Sequence, residues 1–333
     1  MDTLALVVVV SAALFYTGVN GFRDSADAIA TSVSARALTP RVAVTLAALM
    51  NLAGAFLGTT VARVVSEDLV TPPEGGRGLL MLFAAVCGAL LWSAAAWYLR
   101  LPSSSSQALF GGLVGAVLAG AGAVHWGGVL LKVVLPLLLA PLVAMVVGHL
   151  VMVGLLWAFR RAQPHRAQRG FRAAQTVSTA GMALGHGVQD AQKTMGVVVL
   201  ALVVAGEAEA GSGVPLWAQA ACAVMLAAGT YAGGWRVVRA LGRRVFAVDA
   251  PRGFAAESSA AAVMFASAFV LHAPVATTHV VTGSIVGAGT TRRRTVVRWG
   301  VARTIVIGWS VTLPAVALLA AALFLVGAAL LPV

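Results

Sequence analysis

The sequence predicts an all-α integral membrane protein built from two repeats of opposite orientation. Three observations lead there. The 333-residue chain is 60% hydrophobic and only 10% charged, whereas a soluble domain carries about 25% charged residues. Its mean hydropathy is +0.93, and apolar runs of the roughly 20 residues needed to cross a bilayer recur throughout. Those runs are continuous rather than alternating, which selects helices over a barrel. Finally, two polar motifs of the first half recur in the second half, in the same order.

Taken in chain order, spans are expected over 3–20, 42–62, 79–99, 107–124, 129–157, 174–205, 216–234, 256–289 (broken) and 301–331. The first, "LALVVVVSAALFYTG", lacks a basic start and reads as a span rather than a cleaved signal peptide. Charge sets the orientation. The net charge is +12, and 21 of the 23 basic residues are Arg. Fifteen of those Arg fall in 160–172, 236–252 and 292–303, between spans. That is the positive-inside signature, so nucleic acid is not the partner it implies. Glu67, Asp68 and Glu74 share one loop and Glu207 and Glu209 another, on the expected outer side. With these assignments 256–289 must begin and end inside, broken by Pro274, and the remaining spans alternate. Cys87 and Cys222 sit within apolar runs as small core hydrophobes. Lys132, near a span end, is expected to snorkel.

The polar stretch 161–172 divides a first membrane repeat, 1–160, from a second, 173–333; it reads as a cytoplasmic basic linker. "LPSSSSQALFGGLVGA" (101–116) aligns with "APVATTHVVTGSIVGA" (273–288). Pro102 meets Pro274, Gly111 meets Gly283, and Ser105 and Ser106 meet Thr277 and Thr278. Upstream, "NGFRDSADAIA" (20–30) aligns with "HGVQDAQKTMG" (186–196), placing Asp24 on Asp190. The separation from Asp to Pro is 78 residues in one copy and 84 in the other. The two Asp motifs are approached from opposite sides, so the repeats are inverted. Inverted repeats broken at matching places point to a transport site near the bilayer midplane.

The chemistry of the breaks follows. Proline suits a helix start, and the first amides of a helix lack intrahelical partners and carry partial positive charge. With the hydroxyls of Ser103, Ser104, Ser105, Ser106, Thr277 and Thr278, each break becomes a cradle for an anion. Packing and back-bonding inside a helix bundle is the other use for such hydroxyls. Asp24, Asp27, Asp190 and Glu257 lie at membrane depth, where a charge costs roughly 3 kcal/mol. They repel an anion but suit the cation that travels with it, as a proton on a carboxyl or a Na⁺ among oxygens. A carboxylate also accepts a hydrogen bond from the OH of phosphate, which sulfate does not offer. Arg23 and Lys193 are either ion-pair partners of Asp27 and Asp190 or direct anion contacts. His186 and His279 are proton relays or structural residues. Asn51 bonds a neighbouring helix or joins a cation site. No metalloenzyme spacing, nucleophile elbow or Walker loop is present, so an enzyme is not expected.

The segments "GFRDSADAIATSVSARALTP", "LPSSSSQALFGGLVGA", "LGHGVQDAQKTMG", "RGFAAESSAAAV" and "PVATTHVVTGSIVG" resemble the inorganic phosphate transporter (PiT) family, bacterial low-affinity branch. The resemblance implies roughly 10–12 spans with two helical hairpins. It implies symport of inorganic phosphate with H⁺ or Na⁺, with no cofactor, and substrate carried free or as a neutral complex with Mg²⁺. It further implies a bacterial inner (plasma) membrane, a homodimer and a PhoU-like accessory protein; sulfate or another oxyanion is the alternative cargo. Asp24 and Asp190 match the family's signature aspartates, and Ser103 to Ser106, Thr277 and Thr278 its phosphate-binding hydroxyls. Gln192 and Lys193 match its "DAQKT" run, with Gln192 expected at the phosphate, and Glu257 the acid of its "GFAAE" segment. The sequence departs from the pattern at Arg23 (usually His or Asn), Asp27 and Gln189 (usually Asn), Gln107 (usually His) and Ala276 (usually Ser).

Overall fold

The computed structural model describes residues 2–99, 101–241, 249–291 and 299–331. Much of the expected Arg loops at 236–252 and 292–303 falls outside those residues. Twelve α-helices are described: α1 (Asp2–Ser34), α2 (Pro40–Gly54), α3 (Thr60–Glu67), α4 (Gly76–Tyr98), α5 (Ser105–Ala119), α6 (Trp126–Gly128), α7 (Leu135–Ala158), α8 (Pro164–Val204), α9 (Leu216–Leu241), α10 (Ala250–Phe269), α11 (Thr277–Thr290) and α12 (Trp299–Leu330). A π-helical turn, Val129–Val134, joins α6 to α7. The described strands, β1 (Val70–Thr71) and β2 (Ala123–Val124), form one short antiparallel pair. Among the described residues, six helical stretches are long and apolar enough to span a membrane: Thr3–Ser34, Gly76–Tyr98, Trp126–Ala158, His165–Val204, Leu216–Gly234 and Val306–Leu330.

Local chemistry explains the helix starts. Pro40 and Pro164 stand at the first turns of α2 and α8, where the missing N–H costs nothing. Asp249 caps α10 by accepting from Arg252 N (3.1 Å). Ser104 caps α5 by accepting from Gln107 N (3.3 Å).

Three boundaries differ from expectation. The first helix does not end at residue 20 but continues to Ser34, so Asp24 and Asp27 project from a helix flank rather than from a loop. The span expected over 42–62 is broken into α2 and α3. The basic stretch is helical from Pro164 onward, as the opening turns of α8. The expected break at Pro274 is present, between α10 and α11. Its counterpart separates α4 from α5, and α5 has only 15 residues, short of a full crossing.

The duplication is visible in the packing. Helix α5 packs on α12, and α11 packs on α7; α1 packs on α9, and α8 on α2 and α3. A Cβ added at Gly115 would fall 2.0 Å from Ala317 O, and one at Gly287 would fall 2.0 Å from Met145 O. Both glycines therefore allow backbone-to-backbone approach, at equivalent points of the two repeats. Gly115→Val and Gly287→Val are each expected to destabilise by about 3 kcal/mol or more, because the obstacle is backbone and not a movable side chain. Loss of the monodisperse peak in detergent size-exclusion chromatography checks this.

Helix α8 runs through the centre. An 18-residue stretch of it is 94% buried, against 17% for the equivalent stretch of α12. Its Gln175, His186, Gln189, Asp190, Gln192 and Lys193 side chains face protein, while α12 exposes Val306, Ile307, Leu318 and Leu325. At one edge Lys132 pairs with Asp68 (2.6 Å).

Candidate functional site

Two breaks and two long helices build the site. The start of α5 meets the flank of α1: Ser105 Oγ donates to Asp24 Oδ2 (2.9 Å), and Tyr16 OH donates to Ser105 O (2.6 Å). The start of α11 meets α8 in the same manner, with Thr277 Oγ1 donating to Asp190 Oδ2 (3.3 Å). Asp24 and Asp190 are both buried, and each takes a hydroxyl from the break of its own repeat, as the alignment requires.

Lys193 joins the two halves. Its Nζ donates to Asp190 Oδ1 (2.7 Å), to Ser106 Oγ at the α5 tip (2.6 Å), and to Val275 O in the other break (2.6 Å). All three ammonium protons are thus used, which a buried cation requires. His186 extends the cluster: Nε2 lies 3.0 Å from Asp190 Oδ2. Its Nδ1 donates to Asn51 Oδ1 (3.1 Å), and Asn51 Nδ2 donates to Thr230 Oγ1 (2.8 Å). Ligand atoms of Asp24, His186 and Asp190 lie within 4.8 Å of one another. Two carboxylates this close in a dry interior repel, so the place favours a cation or proton between them.

Beside this cluster is a cavity of about 200 Å³ lined by Arg23, Asp24, Asp27, Pro102, Ser103, Thr278 and Trp309, among others. It takes residues from α1, both breaks and α12. Arg23 Nη1, Asp27 Oδ2 and Thr278 Oγ1 are buried without a hydrogen-bond partner. The amides of Ser105 and Ser106 precede the first intrahelical bond of α5, which Ala108 N makes to Ser104 O (3.1 Å).

The serine run divides its work. Ser103 Oγ accepts from Trp92 Nε1 (2.8 Å) and from Thr312 Oγ1 (3.3 Å). Ser104 caps α5, Ser105 holds Asp24, and Ser106 receives Lys193. Of the two pairings expected for cations near Asp residues, Lys193–Asp190 forms and Arg23–Asp27 does not. Arg23 Nη2 reaches Ser103 O instead (3.3 Å).

Other expected residues lie apart from the cavity. Gln192 Oε1 accepts from Val61 N (2.8 Å) at the start of α3, and its Nε2 has no partner. His279 stacks on Trp309 with centroids 3.6 Å apart, and its Nδ1 donates to Leu137 O (3.3 Å). Glu257 forms a separate centre between α1, α8 and α10. Its Oε1 accepts from Thr31 Oγ1 (2.5 Å) and Gln175 Nε2 (3.1 Å); its Oε2 accepts from Ser178 Oγ (2.5 Å) and Thr179 Oγ1 (2.9 Å). Sequence reasoning missed those four partners, and also Trp92, Tyr16, Trp309 and Thr312, because each comes from a distant helix. Among the departures, Gln189 ties α8 to the second break, its Oε1 accepting from Val275 N and its Nε2 donating to Met264 O (both 3.2 Å).

Buried charge at paired helix breaks, inside a bundle of long apolar helices, is the arrangement of a multi-pass membrane transporter. Residues 20–320 match the sequence model described as "Phosphate transporter family". The chain belongs to that family. It is 44% identical over 327 residues to a "Probable low-affinity inorganic phosphate transporter" of Mycobacterium bovis, covering 96% of this chain and 77% of that one. It is 38% identical over 325 residues to the Bacillus subtilis protein of the same description, covering 96% and 97%. The solved structure titled "The sodium-dependent phosphate transporter" matches the fold with a TM-score of 0.89 at 22% identity, over 98% of this chain and 100% of that one. The bacterial relatives place the protein in the plasma membrane.

Proposed function

We propose that the chain carries inorganic phosphate across the membrane together with a cation, H⁺ or Na⁺, by alternating access. The observation that supports this most is the junction at Lys193. One ammonium holds the tips of both broken helices against Asp190, next to a cavity that both tips line. The anion sits among Ser103 to Ser106, Thr277 and Thr278, where hydroxyls and helix-start amides stabilise negative charge. Asp24 and Asp190, with His186 between them and Asn51, hold the cation. A carboxylate pair binds a cation more tightly when an anion lies alongside, which couples the two fluxes. Glu257, surrounded by Thr31, Gln175, Ser178 and Thr179, is a second cation or proton station. Gln192, whose Nε2 is buried without a partner, is a further polar contact for the phosphate. The homodimer and a PhoU-like accessory protein belong to the same proposal on the strength of the family resemblance.

Uptake of labelled phosphate into proteoliposomes, under imposed pH or Na⁺ gradients and with or without Mg²⁺, tests it. Accumulation driven by one of those gradients is expected. Flux that only equilibrates, whatever the gradient, would mark a channel. The second reading, a sulfate or other oxyanion permease, predicts that sulfate competes with labelled phosphate on equal terms.

A further inference from the structure

Arg23 and Asp27 stand four residues apart on α1, the spacing at which a base and an acid on a helix ordinarily close into an ion pair. They do not pair here. Arg23 is drawn aside by Ser103 O (3.3 Å), leaving Nη1 buried without a partner. Asp27 makes no hydrogen bond or ion pair among the described residues, and its Oδ2 is buried. Thr278 Oγ1, from the other repeat, is a third unpartnered buried atom. All three residues line the same cavity of about 200 Å³. Buried polar groups are normally satisfied, and an unpaired buried charge is strongly destabilising. Three half-buried side chains, each with a buried atom that lacks a partner, converge on one cavity and mark a binding site shaped for something that lies between them.

The chemistry of the three groups defines that ligand. Arg23 offers N–H donors and positive charge. Thr278 offers a hydroxyl that donates or accepts. Asp27 accepts at its carboxyl oxygens, and only accepts when ionised. A ligand satisfying all three carries a negative oxygen for Arg23, a further oxygen for Thr278 and, on the same centre, an O–H for Asp27. We propose that Arg23 and Asp27 form a selectivity element for a protonated tetrahedral oxyanion, with Arg23 binding an unprotonated oxygen and Asp27 accepting a hydrogen bond from the anion's own O–H. Phosphate and arsenate at neutral pH retain such a proton. Sulfate does not, and it would set a bare oxygen against the Asp27 carboxylate. A site built around a donor on its ligand rejects an analogue lacking that donor far more strongly than a shape filter does. Asp27, expected from sequence as a cation ligand, thereby faces the anion's O–H instead, and the coupling cation is left to Asp24 and Asp190, with Glu257 as the second station. The inference rests on the phosphate reading and deepens it.

The test compares anions on one preparation. Labelled phosphate uptake by proteoliposomes is competed with arsenate and with sulfate, for the wild-type protein and for Asp27→Asn. Arsenate should compete with the wild type at concentrations similar to phosphate, and sulfate about 100-fold less well. In D27N the amide donates to a bare oxygen, so the gap between arsenate and sulfate should shrink below about tenfold. Equilibrium binding of labelled phosphate to the detergent-purified proteins gives the same ratios where D27N does not transport. Asp27→Ser replaces D27N where the latter fails to elute as a folded peak. Arg23→Gln should weaken phosphate and arsenate together by about tenfold. A D27N protein that keeps the wild-type gap overturns the inference, as does a folded D27N that binds no anion. Unchanged phosphate affinity in R23Q removes Arg23 from it. Wild-type protein that takes up no phosphate would sink the transport reading itself, before any variant is compared.

Discussion

Lys193→Met is expected to abolish uptake and to destabilise the protein more than any other single change at the site. The substitution removes one ammonium and orphans three acceptors: Asp190 Oδ1, Ser106 Oγ and Val275 O. Asp190 is only 1% exposed, so its charge would be left without its ammonium partner in a dry interior. Breaking a buried pair in this way costs about 3–5 kcal/mol. The two helix tips would also lose the group that holds them together. Lys193→Met combined with Asp190→Asn separates these effects. Removing both charges should recover much of the thermal stability in detergent, yet leave uptake absent. A single variant that transports normally would remove the lysine from the mechanism. A double variant no more stable than the single would show that the buried charge was not the cause.

Asp24→Asn is expected to do the opposite: to spare the fold and stop transport. The side chain keeps its shape, and an amide oxygen still accepts from Ser105 Oγ (2.9 Å in the wild type). Insertion and elution should be unchanged. What disappears is the negative charge opposite Asp190 that draws the cation. Cation-driven accumulation should fall about 100-fold or more, equivalent to about 2.7 kcal/mol in the rate-limiting barrier. Asp190→Asn should stop transport too, but it also strips Lys193 of its counter-charge, so some loss of stability should accompany it. Uptake under an imposed gradient, set beside size-exclusion profiles of the same preparations, measures both. Normal accumulation by both Asn variants would take the carboxylates out of the coupling step.

The sequence carried the architecture wherever chemistry was local. The Pro102 and Pro274 breaks, the Asp24/Asp190 pairing and the hydroxyls that follow the prolines were readable because proline and the repeated order stand out against apolar helices. The α2–α3 break was not readable. No proline lies at 55–59; α3 instead starts where Val61 N finds Gln192 Oε1 on another helix, a tertiary partner with no local signature. Helix α8 starts ten residues before the expected span, because the Arg, Gln and His of its first turns have the composition of a loop. Those turns extend beyond the apolar stretch but remain helical. The fate of Arg23 shows the same limit. Spacing alone points it at Asp27, and only the fold reveals the competing carbonyl of Ser103. Glu257 was identifiable as a buried acid, whereas its four donors on α1 and α8 were not.

The central claim is that both helix breaks, one from each repeat, hold a single anion. Single cysteines at Ser103 and at Thr278, each in a background with Cys87 and Cys222 replaced by Ala, test it most directly. The rate of labelling by a small charged thiol reagent is followed as phosphate is added. Two-sided contact predicts that phosphate slows labelling at both positions, with the same half-protecting concentration, and that sulfate protects neither at that concentration. Protection at one position alone, or at both with widely different concentrations, would mean that the two breaks do not share a substrate.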